Sequence, residues 1–136
     1  MKIEEQVLSR EQMAHLKELG VDTSDASMYW TRAERMEGFK KHNLIDNDLG
    51  EWRLSLSRKL IVPAAWKVEY IPTYTIGDLI GKLPKGIEGN YLYIKYCWEY
   101  GYERIYRRLY VDEDSHIERL YELFCWVAEN HKELIK

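Results

Sequence analysis

The sequence predicts a single α+β domain, in which an antiparallel sheet of four to five strands is covered on one face by a C-terminal helix. Three observations support this fold class. Helix-start signals occur at three places along the chain. Stretches of alternating polar and apolar residues lie between them, and the longest helical stripe is at the C-terminal end. Because 136 residues is the usual size of one domain, we expect residues 1–136 to form a single unit.

Each predicted helix begins at a hydroxyl residue that is followed three positions later by an acidic or amide residue. This capping-box spacing allows the two side chains to satisfy each other's backbone N–H groups. The three pairs are Ser9 with Gln12, Thr75 with Asp78, and Ser115 with Glu118. The predicted helices span residues 10–19, which end at Gly20, residues 75–83, which end before Pro84, and residues 115–135.

The third predicted helix carries an apolar stripe wider than one packing face requires. Ile117, Leu120 and Phe124 recur at helical spacing. Cys125 and Trp126 widen the stripe on its flank. Two interpretations remain open: either the helix lies in a groove with neighbours on two sides, or part of it contacts another subunit.

Alternating polar and apolar residues predict strands at 27–32, 51–57 and 66–70. Residues 91–98 and 102–111 predict an antiparallel hairpin. Its register decides which residues share a face, because a slip of one residue exchanges the two faces. We place Glu99 opposite Tyr102 across a two-residue turn, since this register separates apolar from charged side chains. The apolar face then holds Leu92, Ile94, Tyr96, Trp98, Ile105, Leu109 and Val111.

The opposite face of this hairpin, the Tyr/Arg face, collects tyrosine and basic residues. It has three interpretations: a solvated surface stabilised by cation–aromatic pairs, a stacking platform for single-stranded nucleic acid, or a dimer interface. The solvated surface is favoured because tyrosine is a common strand residue. The members of the Tyr/Arg face are Tyr91, Tyr93, Lys95, Tyr102, Arg104, Tyr106, Arg108 and Tyr110.

A second candidate site is the segment "GVDTSDASMYW", residues 20–30, where small polar side chains are concentrated. Asp22, Ser24 and Asp25 could line a ligand pocket or bind a cation through their oxygens. The segment is not an EF-hand, because acidic residues do not occupy regular alternate positions. Local turns made by Asp22 and Ser24, which join the first helix to the first strand, are the favoured interpretation.

The sequence contains no motif for the common catalytic or metal-binding chemistries. No two of its four histidines have the HxxxH spacing that would place two ligands on one helix face, and the glycines match neither a phosphate-binding loop nor a nucleophile elbow. Cys97 and Cys125 lie in separate aromatic stretches, so we expect buried free thiols. We therefore assign no catalytic residue, metal or cofactor.

Charge and hydropathy restrict the possible partners. The net charge is −3; both ends are acidic, whereas residues 31–60 and 61–111 each carry seven basic and five acidic residues. This distribution is unlike that of a dedicated duplex-DNA binder. The sequence has neither a run of eighteen apolar residues nor the apolar core of a signal peptide, so we expect a cytoplasmic protein without membrane partners.

Three stretches, "LGVDTSDASMYW" (19–30), "YTIGDLIGKLPK" (74–85) and "LFCWVAEN" (123–130), resemble a group of small uncharacterised proteins of gut bacteria. These proteins are often encoded in prophage or mobile-element neighbourhoods. The likeness covers about half of the chain and implies a genomic context but no catalytic residue.

The function that we expect is a non-catalytic accessory or protein-interaction module of a phage or mobile element, with self-association as one form of that interaction. The alternative is weak binding of single-stranded nucleic acid through the Tyr/Arg face. A small enzyme of unknown class ranks third.

Overall fold

The described residues form three α-helices and seven strands, and the strands divide between two antiparallel sheets. The structure is a computed structural model, and it describes residues 6–35, 50–56, 66–95, 99–103, 106–109 and 116–135. In chain order the elements are α1 (Arg10–Glu18), β1 (Met28–Arg35), β2 (Arg53–Ser55), β3 (Trp66–Thr73), α2 (Ile76–Lys82), β4 (Gly86–Ile87), β5 (Asn90–Lys95), β6 (Glu99–Tyr102), β7 (Tyr106–Leu109), α3 (His116–Asn130) and a 3₁₀ turn (Lys132–Leu134).

The first sheet has the strand order β2-β1-β3, and the second has the order β4-β5-β6-β7. In the first sheet β1 pairs with β3 along its whole length. The second sheet is a meander in which β4 contributes only two residues. The α+β class and the C-terminal helix are confirmed, but the single sheet of four to five strands is not. The chain leaves the first sheet through α2, so the later strands pair among themselves.

Local capping chemistry fixes the start of α1 and α2 as the sequence predicts. Ser9 Oγ accepts from the Gln12 backbone N–H at 3.1 Å, and Gln12 Oε1 accepts from the Ser9 N–H at 2.9 Å. Thr75 and Asp78 form the same reciprocal pair, with both distances 3.0 Å. These bonds satisfy N–H groups that have no partner within the helix. Gly20, just after α1, has a φ of +88°, the left-handed conformation predicted for it.

The third helix is shorter than predicted, and its wide apolar stripe packs against several elements. α3 ends at Asn130, because His131 takes a non-helical conformation with a φ of −142°. The predicted cap, Ser115, lies outside the described residues. α3 contacts α1, α2, β6 and the 3₁₀ turn, and Phe124 is fully buried. The groove interpretation of the stripe therefore matches the packing of this helix.

One core joins the three helices and the second sheet. Its members include Leu16 from α1, Leu79 from α2, Phe124 from α3 and Tyr102 from β6, and each is fully buried. Tyr74, in the link between β3 and α2, is also fully buried and packs on Phe124 with ring centres 6.0 Å apart. Apolar burial on this scale is the main stabilising contribution to such a fold.

The predicted hairpin register is wrong. Glu99 pairs with Lys95 rather than with Tyr102, and Tyr102 pairs with Leu92 on one side and with Tyr106 on the other. Residues 99–102 are thus a strand of their own between β5 and β7. The prediction assigned Tyr102 to the solvated face, but its side chain lies in the core.

Two contacts explain why a tyrosine can occupy this core position. The Tyr102 hydroxyl donates a hydrogen bond to the Pro84 carbonyl at 2.7 Å. The ring packs on Trp126 with centres 6.3 Å apart. Because the only polar group of the side chain is satisfied, burial of the aromatic ring carries no penalty for an unpaired hydroxyl.

Candidate functional site

The Tyr/Arg face is not formed as one surface. Tyr102 is fully buried, whereas Tyr91 is 69% exposed. Side chains alternate across a strand, so Tyr91 and Tyr93 lie on the opposite side of β5 from Leu92, the residue that pairs with Tyr102. The predicted register is the reason for the error, because it placed all these tyrosines on the same side.

The other members of the Tyr/Arg face are placed by their backbone alone or fall outside the described residues. Lys95 is opposite Glu99 in the β5–β6 ladder, and Arg108 is opposite Tyr100 in the β6–β7 ladder. Tyr106 is opposite Tyr102. Nucleic-acid binding through the Tyr/Arg face stays a prediction. The two members that lie outside the described residues are Arg104 and Tyr110.

The polar segment after α1 makes a local turn and then contacts α2. The Ser24 backbone N–H donates to Asp22 Oδ1 at 3.0 Å, and this hydrogen bond lowers the pKa of the Asp22 carboxyl. Ser27 Oγ donates to Asp78 Oδ2 at 2.7 Å. Asp78 therefore holds this segment with the same carboxylate oxygen that caps α2 at Thr75.

Asp25 joins a buried phenol to a lysine. The Tyr74 hydroxyl lies 2.9 Å from both Asp25 Oδ1 and the Asp22 carbonyl oxygen, and it shares its one proton between these two acceptors. Lys82 Nζ lies 2.6 Å from Asp25 Oδ2, with 10% of the Lys82 side chain exposed. Burial raises the pKa of Tyr74, and the hydrogen bond to Asp25 raises it further. The phenol is therefore a neutral donor that ties the segment to the core.

Removing the Asp25 carboxylate should show how strongly this cluster stabilises the fold. We expect Asp25→Ala to lower the free energy of unfolding by about 1–3 kcal/mol, because a largely buried ammonium loses this carboxylate. Lys82→Met should cost less. The double variant should lose less stability than the sum of the two single losses. The difference, which is the coupling energy measured by urea unfolding, should be about 1 kcal/mol or more. Strictly additive losses would contradict a direct Asp25–Lys82 interaction.

A second cluster, the Arg–Trp stack, consists of Arg10, Trp52 and Arg32. The guanidinium carbon of Arg10 lies 4.5 Å from the centre of the Trp52 ring, and that of Arg32 lies 5.0 Å from it. Arg32 Nη2 also contacts Glu69 Oε1 at 2.7 Å, and this hydrogen bond raises the pKa of Arg32 and lowers that of Glu69. Trp52, which is half-buried, thus contacts two cations.

The strand pairing explains why the stack forms. Thr31 of β1 is opposite Arg53 of β2, so the next residue pair along the two chains brings Arg32 beside Trp52. Cross-strand neighbours of this kind are close enough for long side chains to interact. Arg10 joins them from the first turn of α1.

A cleft of about 220 Å³, the α1–β3 cleft, lies between α1 and β3 and shares Arg10 with the Arg–Trp stack. Its walls are mostly apolar, and its two cationic residues are both on α1. A second cleft of about 220 Å³ lies between Gly20, Lys82 and Lys132. The α1–β3 cleft is lined by Arg10, Met13, Ala14, Lys17, Thr23, Ile71 and Pro72.

The one cysteine that the structure describes is poorly suited to nucleophilic chemistry. Cys125 is a half-buried free thiol on α3. Burial raises its pKa to about 11, so almost none of it is thiolate at neutral pH. Cys125 is free, as predicted from the sequence, but it is only half-buried, and Cys97 lies outside the described residues.

Sequence reasoning missed the Arg–Trp stack. Its members come from α1, from β1 and from the residue that directly precedes β2, and none forms a motif with its own neighbours. Among the described residues, no three His, Cys, Asp or Glu side chains are grouped so that they could bind a metal ion. Nor does any helix in the described ranges have the length and apolar character required to cross a bilayer. No protein-family model, curated protein or solved structure matches the chain.

Proposed function

We propose that this chain is a non-catalytic protein-interaction module, and that the Arg–Trp stack and the α1–β3 cleft are its contact surface. The observation that carries this proposal is Trp52, held 4.5 and 5.0 Å from two guanidinium groups beside a mainly apolar cleft. Tryptophan and arginine are the residues most enriched among those that dominate binding energy at interfaces.

The stack is also held in place before any partner arrives. Arg32 is fixed by Glu69 at 2.7 Å and contacts Glu34 at 3.3 Å. The Trp52 ring contacts both guanidinium groups within the fold, so its side chain loses little conformational freedom on binding. Pre-organisation of this kind increases affinity because it reduces the entropic cost of association.

Other aromatic residues support an interaction surface less well. Tyr102 is fully buried and packs on the half-buried Trp126, and Tyr74 is fully buried. The polar segment with Asp22, Ser24 and Asp25 is engaged in hydrogen bonds to its own turn, to Tyr74 and to Lys82. These hydrogen bonds stabilise the fold, so the Arg–Trp stack is the better candidate for the functional surface.

The biological setting is part of the same proposal. The resemblance of residues 19–30, 74–85 and 123–130 to prophage and mobile-element proteins of gut bacteria supports an accessory role in such an element. We place the protein in the cytoplasm. Its partner is another protein, with a second copy of the chain as one form of that interaction.

The proposal can be tested by photo-crosslinking in the cells that naturally express the chain. A benzophenone amino acid at Ala14, an exposed residue of the cleft, should give an adduct with a protein. Trp52→Ala should abolish that adduct, because it removes the central aromatic contact. The same label at Lys85, an exposed residue beside the second sheet, is the matched control and should give none. No adduct from position 14, or one that Trp52→Ala leaves unchanged, would refute the proposed surface.

A further inference from the structure

We propose that the α1–β3 cleft binds an acidic peptide segment of a partner protein. An apolar side chain of that segment occupies the cleft, and its carboxylates contact Arg10 and Lys17. This inference rests on the proposed function and specifies the chemistry of the partner.

The first argument is the distribution of ion pairs. Among the lysine and arginine side chains that the structure describes, four lie within 4 Å of a carboxylate, namely Arg32, Arg53, Lys82 and Arg119. Arg10 and Lys17, the two cations of the cleft, contact no carboxylate of the described residues within that distance. The cleft therefore presents two positive charges that the described fold does not neutralise.

The second argument is the contact between Arg10 and Trp52. The guanidinium carbon lies over the Trp52 ring, 4.5 Å from its centre, and the N–H donors of a guanidinium lie in the plane of the group. A carboxylate can approach along that plane and accept two parallel hydrogen bonds. The stack thus holds an arginine ready for such a contact.

The third argument is spacing. Arg10 and Lys17 are seven residues apart on one helix, so they lie on the same face with about 10 Å of helical rise between them. A peptide in the polyproline II conformation covers about 9 Å in three residues and completes one turn, so side chains three positions apart lie on the same side. Acidic residues three positions apart, with apolar residues between them, therefore match the cleft.

The fourth argument is the cleft itself. Met13, Ala14, Ile71 and Pro72 line a volume of about 220 Å³. An apolar cavity of about 150 Å³ already accommodates benzene, so one leucine or phenylalanine side chain fits here. A nucleic-acid backbone would satisfy the two cations but has no aliphatic group to fill the cleft, which favours a peptide.

The probe for this inference is a pair of matched octapeptide pools added to the ¹⁵N-labelled full chain. The acidic pool has Asp or Glu at positions 3 and 6, apolar residues at positions 4 and 5, and Gly or Ser elsewhere. The amide pool has Asn or Gln in place of the acids. The acidic pool should shift the amide resonances of Ala14, Thr23 and Ile71, and the amide pool should bind about tenfold more weakly.

The variant Arg10→Gln/Lys17→Gln should lose at least about tenfold in affinity for the acidic pool. Lys85→Gln/Lys132→Gln, which removes the same charge from exposed positions elsewhere, should bind like the parent. If Arg10→Gln/Lys17→Gln does not fold, the salt dependence of binding by the parent tests the contribution of the same charges. Raising KCl from about 0.05 M to about 0.5 M should weaken the acidic pool severalfold and leave the amide pool unchanged.

Three results would overturn the inference. The first is no shift of the cleft resonances at about 1 mM of the acidic pool, a concentration at which weak specific binding is detected, and the second is equal binding of the two pools. The third is tighter binding of an oligothymidylate at the same resonances, which would identify nucleic acid as the ligand. If the acidic pool fails while the adduct at position 14 forms and depends on Trp52, only the partner chemistry is refuted. If both fail, the proposed function is refuted as well.

Discussion

Tyr102→Ala should lower the free energy of unfolding by about 3–5 kcal/mol, whereas Tyr91→Ala should change it by less than about 0.5 kcal/mol. Tyr102 is fully buried, packs on Trp126 and donates to the Pro84 carbonyl. Truncation leaves a cavity in the core and an unpaired carbonyl. Tyr91 is 69% exposed and loses little packing. Urea unfolding of the two variants, followed by circular dichroism, measures the difference.

This pair of variants also tests the strand register. If Tyr102 and Tyr91 shared an exposed face, as the sequence predicts, the two substitutions would cost nearly the same. Tyr102→Phe separates the two contributions, because it keeps the ring and removes the hydroxyl. We expect it to cost about 1 kcal/mol, the usual net value of one hydrogen bond. Equal losses for Tyr102→Ala and Tyr91→Ala would contradict the described β5–β6 pairing.

The features predicted well from the sequence are those set by neighbouring residues. The Ser9–Gln12 and Thr75–Asp78 pairs act over one helical turn, so their spacing alone identifies the start of α1 and α2. Gly20 ends α1 for an equally local reason, its positive φ. The width of the stripe on α3 agrees with the contacts of this helix to several elements, although Cys125 and Trp126 on its flank are only half-buried.

The predicted register of the hairpin is wrong because the separation of polar from apolar residues does not show whether a tyrosine is buried or exposed. The prediction placed the tyrosines that alternate along residues 102–110, Tyr102 among them, on the solvated face. Tyr102 shows the alternative: a ring in the core whose hydroxyl reaches a carbonyl 18 residues away in sequence. Such a partner depends on the tertiary fold, so no local pattern reports it. With Tyr102 inside, the chain forms an extra strand rather than a two-stranded hairpin.

The candidate site was predicted only in part, because most of its contacts join residues that are far apart in sequence. Asp22 and Ser24 form the local turn expected of their spacing. The contacts of Asp25 with Tyr74 and Lys82 join residues 49 and 57 positions apart. The Arg–Trp stack requires both the β1–β2 register and the position of α1 over the sheet. Charge counts and motifs contain neither piece of information, so the stack emerges only from the fold.

Alkaline pH should unfold this protein through its buried phenols. Burial raises the pKa of Tyr74 and of Tyr102 well above the usual value of about 10. A group whose pKa is raised in the folded state stabilises that state fully below the unfolded value and loses the contribution as pH rises toward the folded one. Stability should therefore decline from about pH 10 upward. At about pH 11.5 the two tyrosines together should reduce the free energy of unfolding by about 4 kcal/mol.

Urea unfolding at successive pH values between about 8 and about 11.5 measures this decline. Lysine side chains also lose protons in this range, so the tyrosine contribution is isolated with Tyr102→Phe. That variant should be less stable than the parent by about 1 kcal/mol at pH 8. Its decline toward pH 11.5 should be smaller by about 2 kcal/mol, because one of the two phenols can no longer ionise. The two stability curves should therefore cross near pH 11. Parallel curves over the whole range would show that the ionisation of Tyr102 does not oppose folding, contrary to its position in the core.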